Sequence, residues 1–191
     1  EAERAYQKVL EILPQSDSAV YLTASSAIIS MALQRGDTAA AKQQFSPMQR
    51  AAPTHPQTRF LDAQIAAADG NFSRARELLG HVIKIAPDDV RVLLFLGIVE
   101  FQLNAPVQAQ RHLGKAVSMA PMQILPRQWL ARTHLRNGQF DKAKEVLAPL
   151  LTSKPVDATT LSIAADANIA AGDFGAAEQL YVAAMKINPN D

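Results

Sequence analysis

The side chains best suited to bind a metal or move a proton near neutral pH are four histidines, His55, His81, His112 and His134, in a chain with no cysteine. A zinc site needs three or four convergent ligands. Here no HExxH motif occurs and no two histidines stand three or four residues apart, so no metal and no other cofactor is expected. Asp88 and Asp89 are the most prominent paired carboxylates, and such a pair could serve acid–base chemistry. They follow Pro87 directly before a predicted helix, however, where N-capping and attraction to the helix dipole account for them, and Asp157 stands in a similar place. No serine or threonine lies in a nucleophile-elbow context, and the turn glycines fall singly, so no loop can cradle a phosphate. These residues predict a protein that is not an enzyme.

The elements that would position any site are read from the totals and then from the spacing. Of 191 residues, 48% are hydrophobic and only 6% aromatic. Abundant alanine with modest Val and Ile favours closely packed helices over sheets. Lys plus Arg number 19 against 18 acidic residues, and the two signs read as interspersed. A nucleic-acid partner is therefore excluded, because a phosphate backbone calls for a clustered basic surface. The most apolar run, 92–99, is eight residues, well short of the roughly 20 that a bilayer crossing needs. No signal-like segment opens the chain, and the lack of cysteine fits either the cytosol or an oxidising compartment.

The sequence repeats. Pro53, Pro87, Pro121, Pro155 and Pro189 are each 34 residues apart, as are Gly36, Gly70, Asn104, Gly138 and Gly172, and Ala41, Ala75, Ala109, Ala143 and Ala177. Each series has a mechanical meaning. The glycine turns the chain at the end of one helix, and Asn104 is the other residue that tolerates the left-handed conformation. Asp37, Asn71 and Asp173 are N-caps for the helix that follows, and Pro106 suits a first helical position. The alanine lets two helices approach closely, and a large residue stands four positions later at Phe45, Leu79, Leu113, Leu147 and Tyr181. Phe72, Phe140 and Phe174 are expected to plug the start of the second helix. The proline ends it.

This pattern predicts helix pairs at 20–35 with 38–52, 56–69 with 72–86, 90–103 with 106–120, 124–137 with 140–153, and 158–171 with 174–187. Residues 2–13 match only a second helix. The domain reading is thus a single array over 1–191: a half repeat at 1–16, then full repeats at about 17–54, 55–88, 89–122, 123–156 and 157–191, cut from a longer array. Pro14 to Pro53 is 39 residues, which predicts a first helix about one turn longer in that unit, capped by Asp17 or Ser18. Pro47 is expected to bend or interrupt the second helix there.

The pattern resembles the tetratricopeptide repeat, a helix-turn-helix unit of 34 residues, across essentially the whole chain. The first-helix signature of a bulky residue followed by Leu-Gly is best kept at Leu93 with Leu96-Gly97, and it relaxes elsewhere, for example to Arg127 with Leu130-Ala131. The resemblance implies an all-α, right-handed superhelical solenoid, because one hairpin cannot bury its apolar face alone. Finer segments are similar to the tetratricopeptide lipoproteins of bacterial exosortase (PEP-CTERM) systems. They are His55-Pro56-Gln57-Thr58, Gly70-Asn71-Phe72 with Ala75-Arg76, Ala86-Pro87-Asp88-Asp89, and Gly138-Gln139-Phe140-Asp141-Lys142-Ala143. This second resemblance implies a periplasmic protein held to a membrane by an N-terminal lipid, its lipidated cysteine upstream of Glu1, with a part in protein sorting or exopolysaccharide production. The cytoplasm is the alternative.

In such a superhelix the first helices line a concave groove, with their second, fifth, ninth and twelfth positions facing it. The candidate partner-binding residues are Phe60, Gln64, Arg91, Leu94, Ile98, Phe101, Gln128 and Arg132. Apolar anchors rimmed by guanidinium and amide groups suit a protein or peptide partner. Leu94 and Phe101 are equally readable as packing between adjacent first helices. The Lys, Arg and Asn clamp that other members of the family use on chaperone tails is missing, since the fifth positions are Ser26, Phe60, Leu94, Gln128 and Ser162. Three functions follow: a non-catalytic scaffold for protein–protein interaction, a purely architectural spacer, and a polysaccharide-handling groove, for which Trp129 is the ring to watch. Exposed repeat edges could also produce homo-oligomers.

Overall fold

The computed structural model describes residues 2–13, 18–153 and 155–189. Its elements are eleven helices among the described residues: α1 (Ala2–Ile12), α2 (Ala19–Gln34), α3 (Thr38–Ala51), α4 (Pro56–Ala68), α5 (Phe72–Ile85), α6 (Val90–Gln102), α7 (Pro106–Met119), α8 (Ile124–Arg136), α9 (Phe140–Thr152), α10 (Ala158–Ala170) and α11 (Phe174–Ile187). No strand occurs among the described residues. The molecule is all-α and built from tandem helix hairpins, with each boundary within a residue or so of the predicted one.

The local reasons match the expected devices. Gly36, Gly70, Gly138 and Gly172 have positive φ, and Asn104 takes the same conformation at φ 53°. The carboxylate or amide oxygens of Asp37, Asn71 and Asp173 accept from the backbone N–H three residues on, at 2.9, 3.1 and 3.0 Å. Pro106 opens α7 behind Ala105, which makes no side-chain cap. Helix α2 is 16 residues against 13 in α4, and Ser18 caps it by accepting from Tyr21 N. The alternative cap, Asp17, and Pro14 lie outside the described residues.

Two expectations are corrected. Pro47 does not interrupt α3, which runs on to Ala51. A proline removes one donor, leaving the Gln43 carbonyl without its intrahelical partner. Buried Phe45 and Met48 on either side of it keep the helix seated. Pro149 is carried inside α9 in the same way, between buried Leu147 and Leu150. Phe174 is 69% exposed and plugs nothing, unlike the partly buried Phe72 and Phe140.

The chain forms two compact units, Glu1–Val92 and Leu93–Asp191, with the boundary inside α6. In the first, α2 packs on α1, α3 and α4, and α4 on α3 and α5. Its core gathers Tyr21, Leu22, Ile29, Phe45, Met48, Leu61 and Ile65 around Ala41. In the second, α8 packs on α7, α9 and α10, and α10 on α9 and α11. One cluster there joins Ala143, Leu147 and Leu150 to Ala131, Ile163 and Ala164, and another joins Ala109 and Leu113 to Leu130. All five small alanines are buried, and so are the large partners Phe45, Leu79, Leu113 and Leu147, whereas Tyr181 is only partly covered. Each fully buried leucine contributes about 1.5–3 kcal/mol, and much of that burial is against a neighbouring hairpin.

Candidate functional site

The candidate residues divide between the units: Phe60, Gln64 and Arg91 belong to the first, and Leu94, Ile98, Phe101, Gln128 and Arg132 to the second.

In the first unit, Phe60 and Gln64 are partly buried on α4, one turn apart. Gln64 Oε1 is buried and has no hydrogen-bond partner among the described residues. Towards the start of α4, Gln57 Nε2 donates to Ser26 Oγ at 3.2 Å, and that hydroxyl donates in turn to Leu22 O at 2.6 Å. His55 caps α4, its Nδ1 accepting from Gln57 N at 3.2 Å. His55, Gln57, Ser26, Thr23 and Arg91 line an open cavity of about 360 Å³. Arg91 is exposed there and forks onto Asp89, with Nη2 2.8 Å from Oδ2. Hydrogen bonding from Arg91 is the largest effect on Asp89 and holds its carboxyl below the usual carboxylate range against the upward pull of burial, while the Arg91 value is raised by the same contact. Asp89 Oδ1 also accepts from the backbone N–H groups of Arg91 and Val92, the capping role expected of it.

In the second unit, Leu94 and Phe101 of α6 pack against the cluster of Ala109, Leu113 and Leu130, so both close the hairpin packing while staying partly exposed. Phe101 meets Trp129 edge-on at 5.3 Å between ring centroids. Arg132 lies over the Trp129 ring at 5.1 Å and Arg136 over Phe101 at 3.3 Å, with Arg136 Nη1 donating to Phe101 O. Two touching rings, each with one guanidinium over it, thus link α6 and α8, each cation–π contact contributing about 0.5–2 kcal/mol. Arg132 also lines a cavity of about 420 Å³ with Thr159, Ser162, Asp166, Tyr181 and Met185. The Tyr181 hydroxyl donates to Asp166 Oδ1, and its pKa is raised by that bond first and by burial second.

Gln128 has a different place from the other candidates. It is 4% exposed, and its Nε2 donates to Asp157 Oδ1 at 3.0 Å and Thr160 Oγ1 at 2.9 Å, so it ties α8 to the start of α10 within the packing.

Among the described residues no group of three or more His, Cys, Asp or Glu is placed to hold a metal. His112 Nδ1 stands 2.7 Å from Glu100 Oε2, a carboxylate that is 4% exposed. His134 Nδ1 stands 2.7 Å from Gln139 Oε1, which also accepts from Gln110 Nε2. His81 is exposed on α5. These are packing and capping roles. Sequence reasoning missed the Glu100–His112 pair, which only the register between α6 and α7 reveals, and the contact between Phe101 and Arg136. The Trp129–Arg132 contact had a readable signal, an aromatic and a cation three residues apart on one helix. No helix of the described residues is long and apolar enough to cross a membrane.

Residues 32–97 and 100–167 match the tetratricopeptide repeat family. Cellulose synthase operon protein C of Pseudomonas fluorescens (strain SBW25) is 29% identical over 173 residues, 84% of this chain but 13% of that relative's length. Among solved structures, TTC0263 of Thermus thermophilus, described as a thermophilic TPR protein, superposes with a TM-score of 0.75 at 18% identity, covering 89% of this chain and 93% of that one. MamA from Desulfovibrio magneticus RS-1 gives 0.73 at 18% identity, covering 89% and 96%. YrrB, described as a TPR protein with an unusual peptide-binding site, gives 0.69 at 15% identity, covering 98% and 94%. At these identities the structural likeness establishes the fold.

Proposed function

The chain belongs to the tetratricopeptide repeat family, and from that premise we propose that it is a non-catalytic scaffold whose first-helix face holds a protein or peptide partner. The observation that carries this reading is Gln64 Oε1, a buried acceptor without a donor, next to Phe60 on that face. Buried polar atoms are nearly always paired. An amide oxygen beside an aromatic ring suits a partner's backbone N–H and an adjacent apolar side chain.

An envelope setting belongs to the same proposal: a periplasmic protein, membrane-attached by an N-terminal lipid in the full-length parent, serving protein sorting or exopolysaccharide production. In its support stand the segment resemblance to exosortase-associated lipoproteins and the identity with a protein named for a cellulose synthase operon, of which this chain spans only 13%. That relative also favours a second reading, a groove that handles polysaccharide.

The test is in-cell cross-linking and native co-purification of the intact parent, followed by the same with Phe60→Ala, Arg91→Ala and Arg132→Ala combined. Loss of one specific protein from the triple variant, with unchanged helical content, supports the scaffold. Unchanged capture removes the first-helix face from consideration. Polysaccharide recovered in place of protein selects the second reading.

A further inference from the structure

We propose that the segment 101–140 docks an acidic polypeptide, whose carboxylates meet Arg132 while its apolar side chains cover Met122 and Leu125. This rests on the scaffold reading and names the partner's chemistry for one part of the first-helix face.

The near-neutral total conceals an asymmetry. Between Glu100 and Asp141 there is no acidic residue, whereas Arg111, Lys115, Arg127, Arg132 and Arg136 fall there, leaving 14 cations against 18 acids in the remaining chain. The junction between α7 and α8 is also unlike the next one in this unit. Asp157 caps α10 through a hydrogen bond, but Gln123 gives α8 no side-chain cap. In place of polar caps stand Met122, Ile124 and Leu125, exposed by 75, 42 and 56%, with Met119 exposed on the last turn of α7. Exposed apolar side chains gathered at one turn offer a contact surface to a partner.

The knob is held in place before any partner arrives. Arg127 Nε donates to Pro121 O at 2.7 Å and its Nη1 to Val146 O at 2.8 Å, while Gln123 N donates to Ala120 O at 3.0 Å. Pre-ordering of this sort lowers the entropy lost on binding. Leu125 and Arg132 are seven residues apart on α8, so they share a face at a separation of about 10 Å along the axis. Arg132 stacks on Trp129 and has no ion pair among the described residues. A guanidinium held by its face leaves its N–H edge for a bidentate carboxylate. The hydroxyls of Thr159 and Ser162 line the same cavity, and Asp166 in that cavity is engaged by the Tyr181 hydroxyl.

Trp129 is the single tryptophan and reports directly. The full chain is titrated with a short Gly/Ser peptide carrying Leu and Glu, with its twin carrying Leu and Lys, and with phosphatidylglycerol vesicles, each at low and high salt. The acidic peptide is expected to bind, to change Trp129 fluorescence and to weaken with salt. Arg132→Glu should weaken it about tenfold or more, and so should Met122→Ser with Leu125→Ser, both variants keeping wild-type circular dichroism. Equal binding of the two peptides, or wild-type binding by those variants, overturns the acidic preference and leaves the scaffold reading intact. Vesicle binding without peptide binding overturns it in favour of a membrane. If neither peptide binds, the proposal falls, and the native capture experiment alone decides the scaffold reading.

Discussion

The backbone of α6 at Gly97 lies against Leu113 of α7 with no room for a side chain: a Cβ there would sit 2.5 Å from Leu113 Cγ. Leu113 is fully buried and stands four residues after Ala109. Gly97→Ala should therefore destabilise the chain by about 1–3 kcal/mol through overpacking. Leu113→Ala should cost about 2–5 kcal/mol through the cavity it leaves. In urea titrations the double variant is expected to be less destabilised than the sum, because each change relieves the other; strict additivity would mean that the two residues do not touch.

Glu100 and His112 form a buried pair across the same hairpin. Removing one partner leaves a buried polar group uncompensated, so His112→Ala should cost about 1–3 kcal/mol. Replacing both with leucine should cost far less. Equal losses for the single and the double change would show that the pair has no such mutual role.

Asn104 holds the left-handed turn where the other repeats have glycine, at φ 53°. A β-branched residue is poorly tolerated there, and Asn104→Val should lose about 1–2 kcal/mol. Asn104→Gly should leave stability unchanged or raise it slightly. The midpoints of thermal unfolding separate the two.

Asp157 gives the chain an acid-sensitive tie between α8 and α10. Burial is the largest effect on it and pushes its pKa up, but hydrogen bonds from the Thr160 side chain and backbone and from Gln128 together outweigh it, and the net value is lowered. A carboxyl depressed in the folded state contributes stability that is fully present above its unfolded value of about 4 and is lost as pH falls through the lower folded value. Asp157→Ala should thus destabilise at neutral pH by about 1 kcal/mol and flatten the acid limb of the stability curve. An unchanged limb would assign the acid sensitivity elsewhere.

The fold was legible because its signal is steric and periodic. Gly36, Ala41 and Pro53 each do one mechanical task, and the same task recurs at 34-residue spacing. Boundaries followed from caps such as Asp37 and Asn71. What spacing could not show was contact between hairpins. Gln128 occupies a position expected to face a partner, yet a register that places Asp157 and Thr160 beside it turns its amide inward. Pro47 carried a strong local signal for a break that burial of Phe45 and Met48 overrides. The acid-free stretch around Arg132 was present in the sequence but averaged away in the net charge, and its apolar knob becomes visible only once Met122 and Leu125 are seen at the surface.

The most direct test of the account is hydrogen exchange on the full chain, alone and with the protein recovered by native capture. Slowed exchange in the first helices α4, α6, α8 and α10, with α5, α7, α9 and α11 unchanged, is the predicted result. Protection confined to the second helices, with α4 and α8 exchanging as in the free chain, would contradict a partner held on the first-helix face.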